Sequence, residues 1–310
     1  MLPASLLGSL LVLPAALAGS GPWVIGQGQL DLYTGMDSQR LEQLAISTGT
    51  YATDDLIDVD EGITKLTAKA ILTYGLLSNT EIDLSVPWSY VRGNRSDGPL
   101  CSALGLDACD TTRGLGIFSA HLRYNPLNEL YGAPLSLTVG VEARAGDLTA
   151  PTRARITNLG EGTFDLGPLI SLGRSGGLGK GGYWYGLVDA GWRYRFPLVE
   201  EGETRVPGSE WTAEADWIAV PRGVVGFGPS ILWFWRPDGV DFEQTDLSDI
   251  DRFSALRVVA LQGGGKVTVR SSKNVTLAMS GFYTIYAENN PSVLTISAGL
   301  SVNDLARKRE

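Results

Sequence analysis

Charge is scarce in this sequence. Asp, Glu, Lys and Arg make up 19% of its 310 residues, against about 25% in an ordinary soluble domain. Histidine occurs once and cysteine twice, which leaves too few ligands for a metal site and implies no cofactor. Past residue 20 no apolar run approaches the ~18 residues that mark a spanning helix, so a helical membrane domain is excluded there. A helical period is missing as well: almost nothing recurs every 3.6 residues. The one glycine cluster, Gly263-Gly264-Gly265, lies mid-strand without phosphate-binding context and reads as a bend or bulge. No basic patch suggests nucleic acid.

What is present is glycine (39 residues), eight Trp, eleven Tyr and a period of two. The first eighteen residues carry no charge, and Ala16-Leu17-Ala18 before Gly19 has the small-x-small form of an export cleavage site. We therefore read residues 1–18 as a signal peptide, 19–302 as the folded unit and 303–310 as a polar tail. The residue directly after the cleavage site is Gly19 and not a cysteine, which argues against a lipoprotein. An exported chain with no spanning helix is periplasmic, secreted or an outer-membrane barrel. Cys101 and Cys109, separated by seven residues in a Gly/Asp/Ser-rich segment, are expected to form a small loop disulfide.

Alternation divides the chain into twelve strands: 27–36, 62–74, 79–90, 113–125, 134–145, 161–173, 182–196, 211–220, 223–235, 253–271, 274–287 and 292–302. Short turns and longer loops take turns between them. This is the layout of an all-β, antiparallel, up-and-down transmembrane β-barrel of about twelve strands, with both termini on the periplasmic side. One face of each strand is apolar, as in Ile82, Leu84, Val86, Trp88 and Tyr90. The other face carries the charges: Lys65, Lys69, Glu81, Asp83, His121, Arg123, Glu142, Arg144, Asp165, Asp189, Arg193, Arg195, Glu214, Asp216, Lys266 and Arg270. We expect these to line the lumen. A soluble sandwich also alternates, but aromatic position favours the membrane. Tyr74, Tyr124 and Trp184 fall near the periplasmic ends; Trp88, Tyr90, Tyr194, Trp211, Trp233 and Trp235 fall near the outer ends. Two such bands are the interfacial girdles of a barrel in outer-membrane lipid, in a Gram-negative bacterium.

Two stretches add a resemblance. Residues 74–88, Tyr-Gly-Leu-Leu-Ser-Asn-Thr-Glu-Ile-Asp-Leu-Ser-Val-Pro-Trp, and residues 114–124, Gly-Leu-Gly-Ile-Phe-Ser-Ala-His-Leu-Arg-Tyr, resemble a hairpin and a strand of a large outer-membrane family. Its members are transporters associated with the phenol meta-cleavage pathway, distantly similar to fatty-acid and aromatic-hydrocarbon channels. Ile117 stands where that family has an acidic residue. The resemblance implies a barrel of this size and passage of small hydrophobic molecules. Long fatty-acid channels carry an N-terminal plug, whereas about eight residues precede the first strand here.

A twelve-stranded barrel lies between side-chain-filled small barrels and open porins. Its mixed inward charges either cross-link the wall and fill the lumen or line a narrow polar path; we expect a narrow, weakly selective passage for a small-molecule solute. The alternative is a structural or interaction barrel acting through acidic loops at 37–61 and 237–252, where divalent cations are conceivable partners. Ser119 and His121 share one strand face, with β-carbons about 7 Å apart. Hydrogen-bond contact requires ~2.6–3.2 Å and no third group is evident, so no catalytic residue is assigned.

Overall fold

The computed structural model describes residues 21–46, 55–93, 111–145, 163–200, 203–205, 208–238, 257–288 and 290–305. The strands are β1 (Leu30–Ile46), β2 (Asp55–Leu77), β3 (Thr80–Gly93), β4 (Thr112–Leu115), β5 (Phe118–Leu127), β6 (Ser136–Ala145), β7 (Phe164–Gly179), β8 (Gly182–Arg195), β9 (Leu198–Glu200), β10 (Glu203–Arg205), β11 (Glu210–Val220), β12 (Val225–Arg236), β13 (Val258–Arg270), β14 (Val275–Glu288) and β15 (Asn290–Val302). Each main strand pairs antiparallel with its neighbour in sequence, apart from the small β9–β10 hairpin set between β8 and β11. The last strand returns to the first, from Leu32–Val302 to Ala45–Asn290. With β4 and β5 serving as one stave, the wall is a closed twelve-stranded barrel.

Closure satisfies the backbone internally, as lipid demands, and the period of two then sorts side chains into an outer and an inner set. The outer set is an exposed apolar belt that includes Leu84, Val86, Leu122, Val141, Val188, Trp217, Ile231, Leu277 and Ile296. A continuous belt of this kind on a soluble protein would be an aggregation surface. We call the end that bears the short hairpins periplasmic, following the barrel convention. Turns lie there at Leu77–Thr80, Gly179–Gly182 and Val220–Val225.

Of the prolines inside wall strands, Pro87, Pro168 and Pro229 each coincide with an interrupted ladder, because proline has no N–H to donate. Pro168 lies in the gap of the β7–β8 ladder between Leu166–Tyr194 and Leu169–Gly191. Pro229 lies in the β11–β12 gap between Asp216–Ser230 and Ala219–Phe227. Beside Pro87 the partner strand itself breaks between β4 and β5, and the Gly116 N–H donates to the Pro87 carbonyl at 3.0 Å.

The structure corrects several expectations. The fourth strand is two pieces. Strands β1 and β2 continue pairing to Ile46–Asp55, so much of the expected acidic loop 37–61 is hairpin. Asp37, placed in that loop from sequence, is a buried inward residue of β1. Gly263–Gly265 keep regular pairing on both sides; the bulge lies next to them, where Leu261–Tyr286 gives way to Gln262–Thr284. Residues 27–29 precede β1 rather than belonging to it. The signal segment 1–18, Cys101, Cys109, most of the second acidic loop and residues 306–310 lie outside the described residues.

Gly167 tests the wall. A Cβ there would lie 1.7 Å from the Trp192 carbonyl oxygen. Gly167→Val is expected to cost at least the ~1–3 kcal/mol typical of overpacking. The refolded variant should lose the heat-dependent gel-mobility shift of a closed barrel, and a normal shift would show that the wall relaxes freely.

Candidate functional site

The inward face is organised in four parts. The first is a seam of ion pairs that climbs diagonally across the wall. Glu81 on β3 accepts from Arg123 Nη1 on β5 at 2.7 Å. Arg123 and His121 both approach Asp83 Oδ2, at 3.7 and 3.8 Å. His121 Nε2 lies 3.1 Å from Glu142 Oε1 on β6. Glu142 also accepts from Arg144 at 2.5 Å and from Arg193 on β8 at 3.2 Å. Arg193 donates onward to Glu210 on β11 at 2.8 Å, which also accepts from Arg236 on β12 at 2.5 Å. Arg195 lies 3.3 Å from Glu210 and 3.7 Å from Asp165.

Most of these pairs join neighbouring strands, but two links span an intervening strand, and glycine makes the span possible. Arg193 reaches Glu142 across β7, where Gly167 pairs with Glu142 and offers no side chain. Lys266 on β13 contacts Glu214 and Asp216 on β11, and the residue it pairs with on the intervening β12 is Gly228. Buried charges are costly unless paired and hydrogen-bonded. Burial of Glu81, Arg123, Glu142, Arg193 and Glu214 to 3% exposure or less therefore requires these partners.

The second part is the chain before β1. Residues 21–29 fold into the periplasmic half of the lumen. The carbonyl of Gly21 accepts from Arg123 Nη2. The Pro22 carbonyl accepts from Asn125 Nδ2 at 2.7 Å and Thr138 Oγ1 at 2.8 Å. Trp23 Nε1 donates to Glu129 at 3.2 Å, and its ring meets Tyr185 edge-on. The Ile25 N–H donates to Glu81 at 2.7 Å. Gly28 and Gln29 exchange backbone bonds with Gly75. Residues 21–29 thus form a short strap that crosses part of the bore.

The third part is the space that remains. A cavity of about 740 Å³ lies between the strap and the wall formed by β1, β2 and β13–β15. Its lining is rich in hydroxyls, among them Tyr33, Thr73, Thr268, Ser280 and Ser297, with Lys69 and Lys266 also at its wall. Lys69 pairs with Asp37 at 3.0 Å.

The fourth part was absent from the sequence reading. Towards the outer end the lumen face turns apolar. Leu41, Ile63, Val91 and Val293 are almost wholly buried, as are Phe234, Val258, Ala260 and Phe282. Leu41 pairs with both Ile63 and Val293. They share the strand parity of the buried inward residues Gln39, Lys65, Ser89 and Thr284, so their burial is internal.

The remaining expected lumen residues are scattered. Lys65 and Asp189 are buried on inward faces of β2 and β8, the latter opposite Glu214 in register. Arg270 is exposed at the end of β13, donating to the Lys273 carbonyl at 3.4 Å. Glu210, Arg236 and Asp37 were missed. Each keeps the inward parity of its strand, so extending the alternation by one or two residues would have found them. Ser119 and His121 both lie on β5, but His121 is held by Glu142 and Asp83. Among the described residues no group of three or more His, Cys, Asp or Glu side chains is placed to hold a metal.

On the lipid face Tyr74 and Tyr124 pair with Ile82 and Thr80 beside the Leu77–Thr80 turn, and Trp184 lies two residues from the Gly179–Gly182 turn. Trp88, Tyr90, Tyr194, Trp211, Trp233 and Trp235 lie in the opposite halves of their strands, and Trp211 pairs with Trp235.

No protein-family model matches the chain, and no curated protein sequence matches it. Among solved structures, an outer membrane channel from Pseudomonas putida F1 superposes with a TM-score of 0.64 at 15% identity, covering 92% of this chain and 98% of that one. The shared property is the fold. The translocator domain of an autotransporter from Neisseria meningitidis gives 0.44 at 11% identity, covering 90% and 89%. The NanC porin gives 0.45 at 9%, covering 88% and 98%.

Arg123 ties seam and strap together. Arg123→Ala should destabilise the refolded barrel by about 3–5 kcal/mol in a urea titration, since Glu81 stays buried without its guanidinium. Removing both charges with E81Q/R123M should recover much of that loss, and a double variant no better than R123A would refute the pairing argument.

Proposed function

We propose that this chain is a passive outer-membrane channel for small solutes, and that its route is eccentric. The observation that carries the reading is the hydroxyl-lined cavity beside the strap. One half of the lumen is closed by ion pairs and by residues 21–29, and the other keeps a space large enough for a small molecule. The inward charges contribute to the bore mainly as cross-links, so the passage is weakly charge-selective. The fold shared with a Pseudomonas putida outer membrane channel supports a Gram-negative outer-membrane location and a transport role. The two aromatic bands act as its interfacial girdles. Residues 1–18 serve as the export signal.

The solutes are small and at least partly hydrophobic. The apolar layer of Leu41, Ile63, Val91 and Phe282 supports this, and so does the resemblance to transporters associated with phenol meta-cleavage. Hydration would be lost in such a layer, which disfavours ions. The alternative, a barrel with a blocked lumen acting through its loops, is favoured by the same layer, because Leu41 and Val91 have no accessible surface.

Single-channel recording separates the two. The intact barrel in a planar bilayer should show small openings, and deletion of residues 21–27 should enlarge them several-fold. Absence of conductance in both forms, together with no solute uptake by liposomes, would favour the blocked barrel.

A further inference from the structure

The lipid-facing wall is not uniform. Near its periplasmic end a groove of about 580 Å³ runs from Pro134 and Leu135, just before β6, across β7, β8, β11 and β12. Its walls are Leu135, Leu172, Val188, Ala215, Trp217 and Ile231. Its floor falls at Gly186, which faces the lipid between large neighbours: a Cβ built there has Trp217 Cδ1 at 3.7 Å and Trp184 Cζ3 at 4.0 Å. The groove exists because the residue at the crossing of these strands has no side chain.

At one end of this apolar groove stands a cation. Arg174 belongs to the outward parity of β7, is exposed, and has no ion pair or hydrogen bond among the described residues. An arginine on a lipid-facing wall is costly at the bilayer midplane and nearly free at the interface, so its depth matters. Ser136–Gly173 is the last pair of the β6–β7 ladder, which puts Arg174 just past the end of β6, level with the β5–β6 connection. Ser175 is fastened to that connection, donating from its N–H to Glu129 at 2.9 Å and from its hydroxyl at 2.5 Å. Leu130 and Tyr131 are exposed beside it, at 76% and 81%. Arg174 thus stands at headgroup depth, with the groove rising from it into the hydrocarbon zone.

We propose that this groove binds one phospholipid of the periplasmic leaflet, its phosphate on Arg174 and one acyl chain over Gly186. Charge complementarity selects the occupant. A guanidinium pairs bidentately with phosphate, and an apolar trough leading away from it fits a chain covalently attached to that phosphate. A neutral lipid would fill the trough and leave the arginine unpaired. The site is on the outside of the wall and does not depend on what passes through the lumen.

Native mass spectrometry of the full chain, refolded in detergent, tests this with two probes, dioleoylphosphatidylglycerol and dioleoylglycerol. The phosphate-bearing lipid should remain bound at one per barrel, and dioleoylglycerol should be retained about tenfold less, a difference of about 1.4 kcal/mol. Arg174→Gln should lower phosphatidylglycerol retention about tenfold, as should Gly186→Leu, which fills the trough. Ala298→Leu, on the far wall, should leave it unchanged. Equal retention of the two lipids, or retention indifferent to R174Q, would overturn the phosphate contact. Retention indifferent to G186L, or lowered equally by A298L, would reduce the site to ordinary annular lipid. R174Q alters only an exposed side chain, so the test survives if G186L fails to close, as judged by gel mobility.

Discussion

The structure follows from one constraint: a backbone in hydrocarbon has no water to bond with. Every wall strand must find a partner on both sides, and a sheet meets that demand only by returning to its first strand, as β15 does to β1. Closure sends alternate side chains to two solvents. Lipid takes Leu84, Val141 and Ile231 without further arrangement. The inside is harder, because twelve strands enclose a bore too narrow for bulk water to hydrate many charges and too wide for side chains to fill evenly. The interior is therefore partitioned. Long cations reach over glycines to acids two strands away, the strap occupies the periplasmic half, aliphatic residues pack towards the outer end, and one hydroxyl-lined space is left.

Most of the architecture could be read from the residues because lipid enforces the period of two along the whole chain. All twelve staves, their order and their faces came from alternation alone. What was lost was lost for identifiable reasons. Strand ends outside the membrane are under weaker pressure to alternate, so the pattern ends β1 and β2 early and assigns Asp37 to a loop. The break between β4 and β5 arises from a missing proton on Pro87, one strand away, and leaves no trace in its own segment. The glycine run in β13 looked like an irregularity, yet the extra residue sits on the neighbouring strand.

The interior was less legible than the wall. Fifteen charges and one histidine could be assigned to the inner face, but their pairing also depends on which strands lie two apart and on where glycine clears a path. Glu142 bonding to Arg193 is a statement about Gly167 as much as about either charge. The apolar layer was invisible for the opposite reason. Leu41, Ile63 and Val91 are the residues that a lipid-facing stripe would also use, and only strand parity carried to the outer rim distinguishes them.

The closing seam has a further consequence for biogenesis. The Asp304 N–H donates to Asp31 across 273 positions of sequence, at 2.8 Å, and β1 pairs with β15 over most of its length. Contacts of such separation form late, because the intervening chain must first be ordered. The strap is continuous with β1, so its anchorage on β3, β5 and β6 and the final zippering of the wall engage the same strand. A newly inserted molecule thus obtains its stopper and its last seam from one N-terminal element, and assembly need not pass through a sealed cylinder with an unobstructed bore.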